Sequence, residues 1–121
     1  MASKGAHERA AEPEELPRFF VERANAGDAA GLAALYEPDA VLAFPPGQVT
    51  TGSEAIRQVY EQFLAGNPTV VAGEQQPTLR MGDLALTSTR LVGGGVTAEV
   101  ACRQPDATWL WVIDQPRIAN S

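Results

Sequence analysis

Three side chains in the C-terminal half of this 121-residue chain have the types needed for proton-transfer chemistry: Arg90, Glu99 and Asp114. Each stands in an apolar, β-rich stretch. A carboxylate withdrawn from water has its pKa raised, and a guanidinium lowers that of its nearer carboxylate. Two carboxylates pushed apart in this way supply one acid and one base near neutral pH. The competing reading is a structural ion pair in which Arg90 and Asp114 satisfy one another, because buried charges pair for reasons of solvation alone.

The other reactive groups exclude more than they offer. Cys102 is the single cysteine, so it makes no disulfide within the chain and fits a reducing, cytoplasmic setting. With Arg103 beside it and no histidine near it in sequence, it reads as an inert thiol rather than a nucleophile. The single histidine, His7, lies in the N-terminal stretch, so a His/Cys metal site is not expected. Gly93-Gly94-Gly95 joins strands and opens no helix, and therefore cradles no phosphate. The expectation is a site without metal or cofactor. A formal net charge of −6 argues against nucleic acid and anionic membrane surfaces as partners. No apolar run reaches the roughly 18–20 residues of a membrane span. Met1 to Glu15 is rich in Ala and Glu without an apolar stretch, and does not read as a signal peptide.

The elements that would position these residues follow from periodicity and punctuation. Residues 1–12 read as a disordered lead-in and 13–118 as one domain. Pro13, Glu14 and Glu15 suit a helix start, after which Leu16, Phe19, Phe20, Arg23 and Ala24 form a helical stripe. Asp28 caps a second helix with Leu32, Leu35 and Tyr36 inward, stopped by Pro38. Ala40 to Phe44 reads as a short strand. Thr51 and Glu54 read as a capping box opening a third helix, with Ile56, Val59, Tyr60 and Phe63 on its inner face. After Pro68 the pattern turns to strands: Thr69–Leu79, Leu84–Val92, Val96–Arg103 and Thr108–Asp114. Helices followed by successive strands, with no βαβ alternation, give an α+β class.

The segments Ala24-Asn25-Ala26-Gly27-Asp28, Leu35-Tyr36-Glu37-Pro38-Asp39-Ala40, Gly52-Ser53-Glu54-Ala55-Ile56-Arg57 and Gln104-Pro105-Asp106-Ala107-Thr108-Trp109 resemble the NTF2-like superfamily. Within it they resemble the SnoaL-like and ketosteroid-isomerase-like bacterial proteins. The resemblance runs from about Leu16 to Pro116. It implies a cone-shaped fold, three N-terminal helices packed on a curved antiparallel sheet around one apolar pocket. It is specific for fold and weak for function, because this fold hosts several chemistries. Relatives often carry Gly where Ala107 stands, which implies a different turn here. Ketosteroid isomerases place a Tyr acid about where Phe20 stands and an Asp base about where Phe44 stands. Neither phenylalanine transfers a proton, so that reaction is not expected.

The resemblance also implies which side chains share the interior. Thr97, Glu99 and Ala101 form one inward set, Leu110, Val112 and Asp114 a second, and Leu86, Ser88 and Arg90 a third. Glu99 falls near the acid that helps hold an oxyanion in ketosteroid isomerases. Epoxide hydrolases of the superfamily use an Asp–Arg–Asp cluster, which is the analogy for Arg90, Glu99 and Asp114. A pocket for a small apolar molecule would be lined by Phe20, Tyr36, Leu42, Phe44, Tyr60 and Phe63. Leu86, Ser88 and Val112 would complete it from the sheet. Tyr36 and Tyr60 read either as pocket hydroxyls or as core residues with one polar tip. Trp109, Trp111 and Val100 fall on the opposite face, where relatives commonly dimerise, implying a homodimer. The rival is that helices of the same chain cover the tryptophans. Three functions stay open: a cofactor-free acid–base enzyme (cyclase, isomerase or epoxide-hydrolase-like), a non-catalytic small-molecule-binding or accessory dimer, or a structural or regulatory dimer in which the cone is merely a core.

Overall fold

The computed structural model describes residues 7–119. Helix α1 (Glu15–Asn25) begins where Glu15 Oε1 accepts the backbone N–H groups of Ala11 and Glu12, at 2.7 and 3.2 Å. Its buried face is Leu16, Phe19, Arg23 and Ala24, the helical spacing read from sequence. Helix α2 (Ala29–Ala33) is capped by Asp28, whose Oδ1 accepts from Gly31 N at 2.9 Å. It ends before Leu35, whose carbonyl accepts from Trp111 N at 2.8 Å and so belongs to the sheet. Tyr36 therefore opens strand β1 (Tyr36–Leu42) instead of closing a helix. Pro38 lies inside β1 without ending it. The pairing with the last strand jumps from Tyr36↔Trp111 to Val41↔Ile113, and a residue lacking an N–H fits such an irregularity.

Strand β2 (Thr50–Thr51) pairs with β1 and leads into helix α3 (Ser53–Ala65). Gly52, at φ +95°, is the cap residue, and its N–H bonds to Ala40 O at 2.8 Å. The expected capping box does not form. Thr51 is held in the strand, and Glu54 pairs with Arg57 one turn along.

The rest of the chain is sheet: β3 (Glu74–Gln75), β4 (Leu79–Met81), β5 (Leu84–Thr87), β6 (Thr89–Arg90), β7 (Val96–Arg103) and β8 (Trp109–Ala119). The order is β2-β1-β8-β7-β5-β4, with β6 pairing both β3 and β7. All pairs are antiparallel except β1 with β8, which is parallel. The long strand expected over Thr69–Leu79 is reduced to β3 and the start of β4. Val70 is instead tied to α1, its N–H and C=O both bonded to the Asn25 side chain at 2.8 Å. Gly73 lies so close to β6 that a Cβ there would collide with Arg90 O.

Residues 1–6 of the expected lead-in lie outside the described residues, whereas 7–12 pack on the body. Ala10 is buried and accepts from Trp109 N at 2.9 Å, extending the sheet. Arg23, itself buried, donates to Gly31 O at 2.8 Å and also to Glu8 O. Trp109 and Trp111 are 4% and 3% exposed and belong to the core of this one chain. That corrects their assignment to an outer, dimer-forming face. Val100 does face outward, half-buried, beside exposed Leu84 and Leu86.

Candidate functional site

Register brings one row of inward side chains across four strands. Thr87 on β5 pairs with Glu99 on β7, Glu99 with Asp114 on β8, and Asp114 with Leu42 on β1. All four are buried, Glu99 at 5% and Asp114 at 6% exposure. The two carboxylates line a cleft of about 470 Å³ with an apolar wall of Phe20, Val21, Val70, Leu91, Trp111 and Pro116. Its size is that of a small-molecule site.

Trp111 and Asp114 share this wall although strict alternation would put them on opposite faces. Ala101 pairs with Trp111 but Val100 with Ile113, so Val112 is an extra residue on β8. Such a bulge reverses the parity of everything after it. This is why the tryptophans are interior, and why Val112 is not a pocket residue.

Each carboxylate receives a donor whose direction is fixed by a second donor. Tyr36 donates its hydroxyl to Asp114 Oδ2 at 2.5 Å, and the Tyr36 and Tyr60 hydroxyls are 2.8 Å apart. A hydroxyl has one proton, so with Tyr36 committed to Asp114 it is Tyr60 that donates to Tyr36. On the other side Thr87 donates to Glu99 Oε1 at 2.6 Å. Thr87 Oγ1 accepts in turn from Trp111 Nε1 at 3.3 Å, and an indole can only donate.

The electrostatics follow from burial. Asp114 is raised to about 7 by loss of solvent and by the charge of Glu99, against the lowering effect of the Tyr36 hydrogen bond. Glu99 is raised by burial, opposed by hydrogen bonds from Thr87 and Thr97. Burial and the nearby Asp114 charge push both tyrosines up, so they stay neutral donors. Of the two carboxylates it is therefore Asp114, which carries the added repulsion of the Glu99 charge, that keeps a proton towards neutrality.

The sequence-predicted residues divide cleanly. Glu99, Asp114, Phe20 and Tyr60 line the cleft, and Tyr36 stands behind them as Asp114's donor. Phe44 and Phe63 pack against Tyr60, with ring centroids at 6.2 and 6.4 Å, and do not line it. Leu42 is fully buried core. Arg90 is not with the carboxylates: its side chain is 59% exposed and faces Glu74 at 3.9 Å. Leu86 is likewise exposed, and Ser88 turns its hydroxyl to Thr97 O at 2.7 Å. The inward residues of this stretch are Ala85, Thr87 and Thr89, one step out of register with the expected Leu86, Ser88 and Arg90.

Sequence reasoning missed Thr87, Trp111 and the wall Val70–Gly73. One signal for the bulge was present. Trp109, Trp111 and Asp114 are all candidates for an interior, and no uninterrupted period of two accommodates them together. The Val70–Gly73 wall depends on a long-range bond to Asn25 that no local pattern announces.

Residues 18–120 match the family model described as the SnoaL-like domain. No curated protein matches the chain. Among solved structures, a ketosteroid isomerase-like protein from Erwinia carotovora atroseptica aligns at TM-score 0.70 and 17% identity, over 88% of this chain and 93% of that one. A putative calcium/calmodulin-dependent protein kinase type II association domain from Thiobacillus denitrificans aligns at TM-score 0.74 and 13% identity, over 90% and 96%. A function-unknown protein from Mycobacterium tuberculosis aligns at TM-score 0.68 and 21% identity, over 89% and 69%. At these identities the likeness is one of fold.

Proposed function

We propose that this chain, which belongs to the SnoaL-like domain family, is an acid–base enzyme acting on a small, largely apolar molecule through Glu99 and Asp114. The observation that carries this reading is the pair itself: two buried carboxylates, opposed on neighbouring strands, lining an apolar cleft large enough for a ligand. A stable core has no need of two like charges side by side, whereas proton transfer needs one group charged and one neutral at working pH. With one proton on the pair, Glu99 as carboxylate takes a proton from the substrate and Asp114 as acid returns one. Charge in the cleft is the same before and after. Tyr36 holds Asp114 in place, and the Trp111–Thr87 pair orients Glu99. Isomerisation and cyclisation, which move a proton within one molecule, are the reaction types this arrangement suits. Arg90 has no part in it.

The test reads proton transfer directly, whatever the product of the natural reaction. Apolar ketones are incubated with the protein in deuterium oxide, and exchange beside the carbonyl is followed by NMR. The native protein is expected to promote exchange of ketones that quench Trp111 on binding. Glu99→Gln and Asp114→Asn should each lower exchange about 100-fold or more while binding persists. Binding without exchange would instead identify a carrier or accessory pocket.

A further inference from the structure

Glu99 and Asp114 raise a second question, which is what balances their charge. Among the described residues neither carboxylate forms an ion pair: their side-chain partners are neutral hydroxyls, those of Thr87 and Thr97 for Glu99 and that of Tyr36 for Asp114. The arginine that lines the cleft, Arg18, is engaged with Glu15 at 3.6 Å and Glu22 at 3.2 Å. Glu22 lines the cleft too, adding a third acid to it. A buried charge without a counter-charge is costly, and proteins rarely keep one idle.

The neutral part of the wall has a matching character. Phe20, Tyr60 and Trp111 form a contiguous aromatic group, Phe20 lying 5.7 Å from Tyr60 and 6.4 Å from Trp111 between ring centroids. Ring faces attract ammonium groups, most strongly where water is excluded. Acids and rings together form a lining suited to an organic cation and hostile to a carboxylate.

The geometry points to an amine ligand: we infer that the molecule taken by this cleft carries a protonated nitrogen, seated between Glu99, Asp114 and the Phe20–Tyr60–Trp111 rings, with its apolar body along Val21, Val70 and Leu91. This names the substrate class of the site proposed above and rests on that site being used. The pair is then discharged by the ligand in place of a resident arginine, which accounts for two interior acids with no cation beside them among the described residues. The ionisable groups facing the seat are Arg18 and Glu22 from α1, Tyr36 from β1, Tyr60 from α3, Glu99 from β7 and Asp114 from β8.

Phenylbutylamine, phenylbutanol and phenylbutanoate share one apolar body and differ in head group. Calorimetric titration of the intact protein should rank the amine on the order of tenfold or more above the alcohol, with the carboxylate weakest. The preference for the amine should grow from pH 6 to pH 8, as the pair loses its last proton. In the Glu99→Gln/Asp114→Asn double variant, amine and alcohol should bind alike, and retained alcohol binding shows that the cleft has folded. Equal affinity of amine and alcohol for the native protein overturns the inference, as does a preference that survives the double substitution. Ketone exchange is scored separately. Exchange without amine preference leaves the acid–base reading standing and removes this one; amine preference without exchange does the reverse.

Discussion

Trp111 and Asp114, three residues apart on one strand, face the same cleft because Val112 between them is an extra residue in the pairing with β7. The consequence is chemical as well as geometric. The bulge sets an indole next to a carboxylate and, by taking Val112 out of the ladder, aligns Asp114 with Glu99. Deleting Val112 should leave Ile113 opposite Val100 and Asp114 opposite Glu99 in a regular ladder, so a carboxyl group with an elevated titration should still be found by carbon NMR; its loss would show that the bulge itself is needed to hold the acid pair.

Folding stability should fall as pH rises from about 4 to about 7. Asp114 has a folded pKa of about 7 against an unfolded value near 3.8, so the folded state binds more protons through that window. Ionisation therefore favours unfolding, and the loss levels off above pH 7. Asp114→Asn removes the titrating group, and its melting temperature should be flatter over the same range. Parallel curves for the two proteins would place the unfavourable charge elsewhere.

Tyr36→Phe removes the hydroxyl that stabilises ionised Asp114. The Asp114 titration should move to higher pH, and the pH optimum of any exchange activity should move with it. Both rings are the same shape, so the Phe variant should remain folded, at a cost of about 1–3 kcal/mol for the lost buried hydrogen bonds. An unmoved titration would show that Tyr36 does not act on Asp114.

Arg90→Ala should leave both ketone exchange and amine binding unchanged. Its side chain is mostly in solvent and its acidic neighbour, Glu74, is 3.9 Å away and exposed. Pairs of this kind contribute between 0 and about 1 kcal/mol. A large loss of activity would put Arg90 back in the mechanism.

Ala107→Gly should stabilise the protein by up to about 1 kcal/mol, read as a rise in melting temperature. Ala107 holds φ +70° in the turn that joins β7 to β8, a conformation that strains a residue with a Cβ. The turn keeps the left-handed geometry that glycine would take freely.

Much of this architecture is legible from local pattern. The stripe of Leu16, Phe19 and Ala24, the Asp28 cap, and the strand from Val96 to Arg103 stand where spacing and turn chemistry put them. The inward positions of Glu99 and Asp114 are those that the resemblance implies, not ones that local pattern gives. What is not legible comes from pairing between distant strands. Alternation within Leu84–Thr87 has two phases, and only the partner strand selects the one that buries Ala85 and Thr87. That one step separates Arg90 from its expected place in the cleft. The tryptophans depart from expectation through the bulge at Val112, a property of the β7–β8 pair and not of either strand. Tyr36 reads as helical because Ala29 to Tyr36 carries a helical pattern, and capture of Leu35 by Trp111 overrides that preference.

Gly73 marks a seam with consequences for how this protein can change. The acid pair sits on β7 and β8, the two longest strands, while another part of the cleft wall is Val70–Gly73, which has no strand of its own and rests against Arg90 through a position that only glycine can fill. On the proposed reading, chemistry and selectivity are therefore housed in separate structural units. Substitutions at Val70, Val71 or Ala72 can reshape what the cleft admits without disturbing the row from Thr87 to Leu42, so a lineage built on this frame can change the shape of the cleft while the acid pair stays where it is.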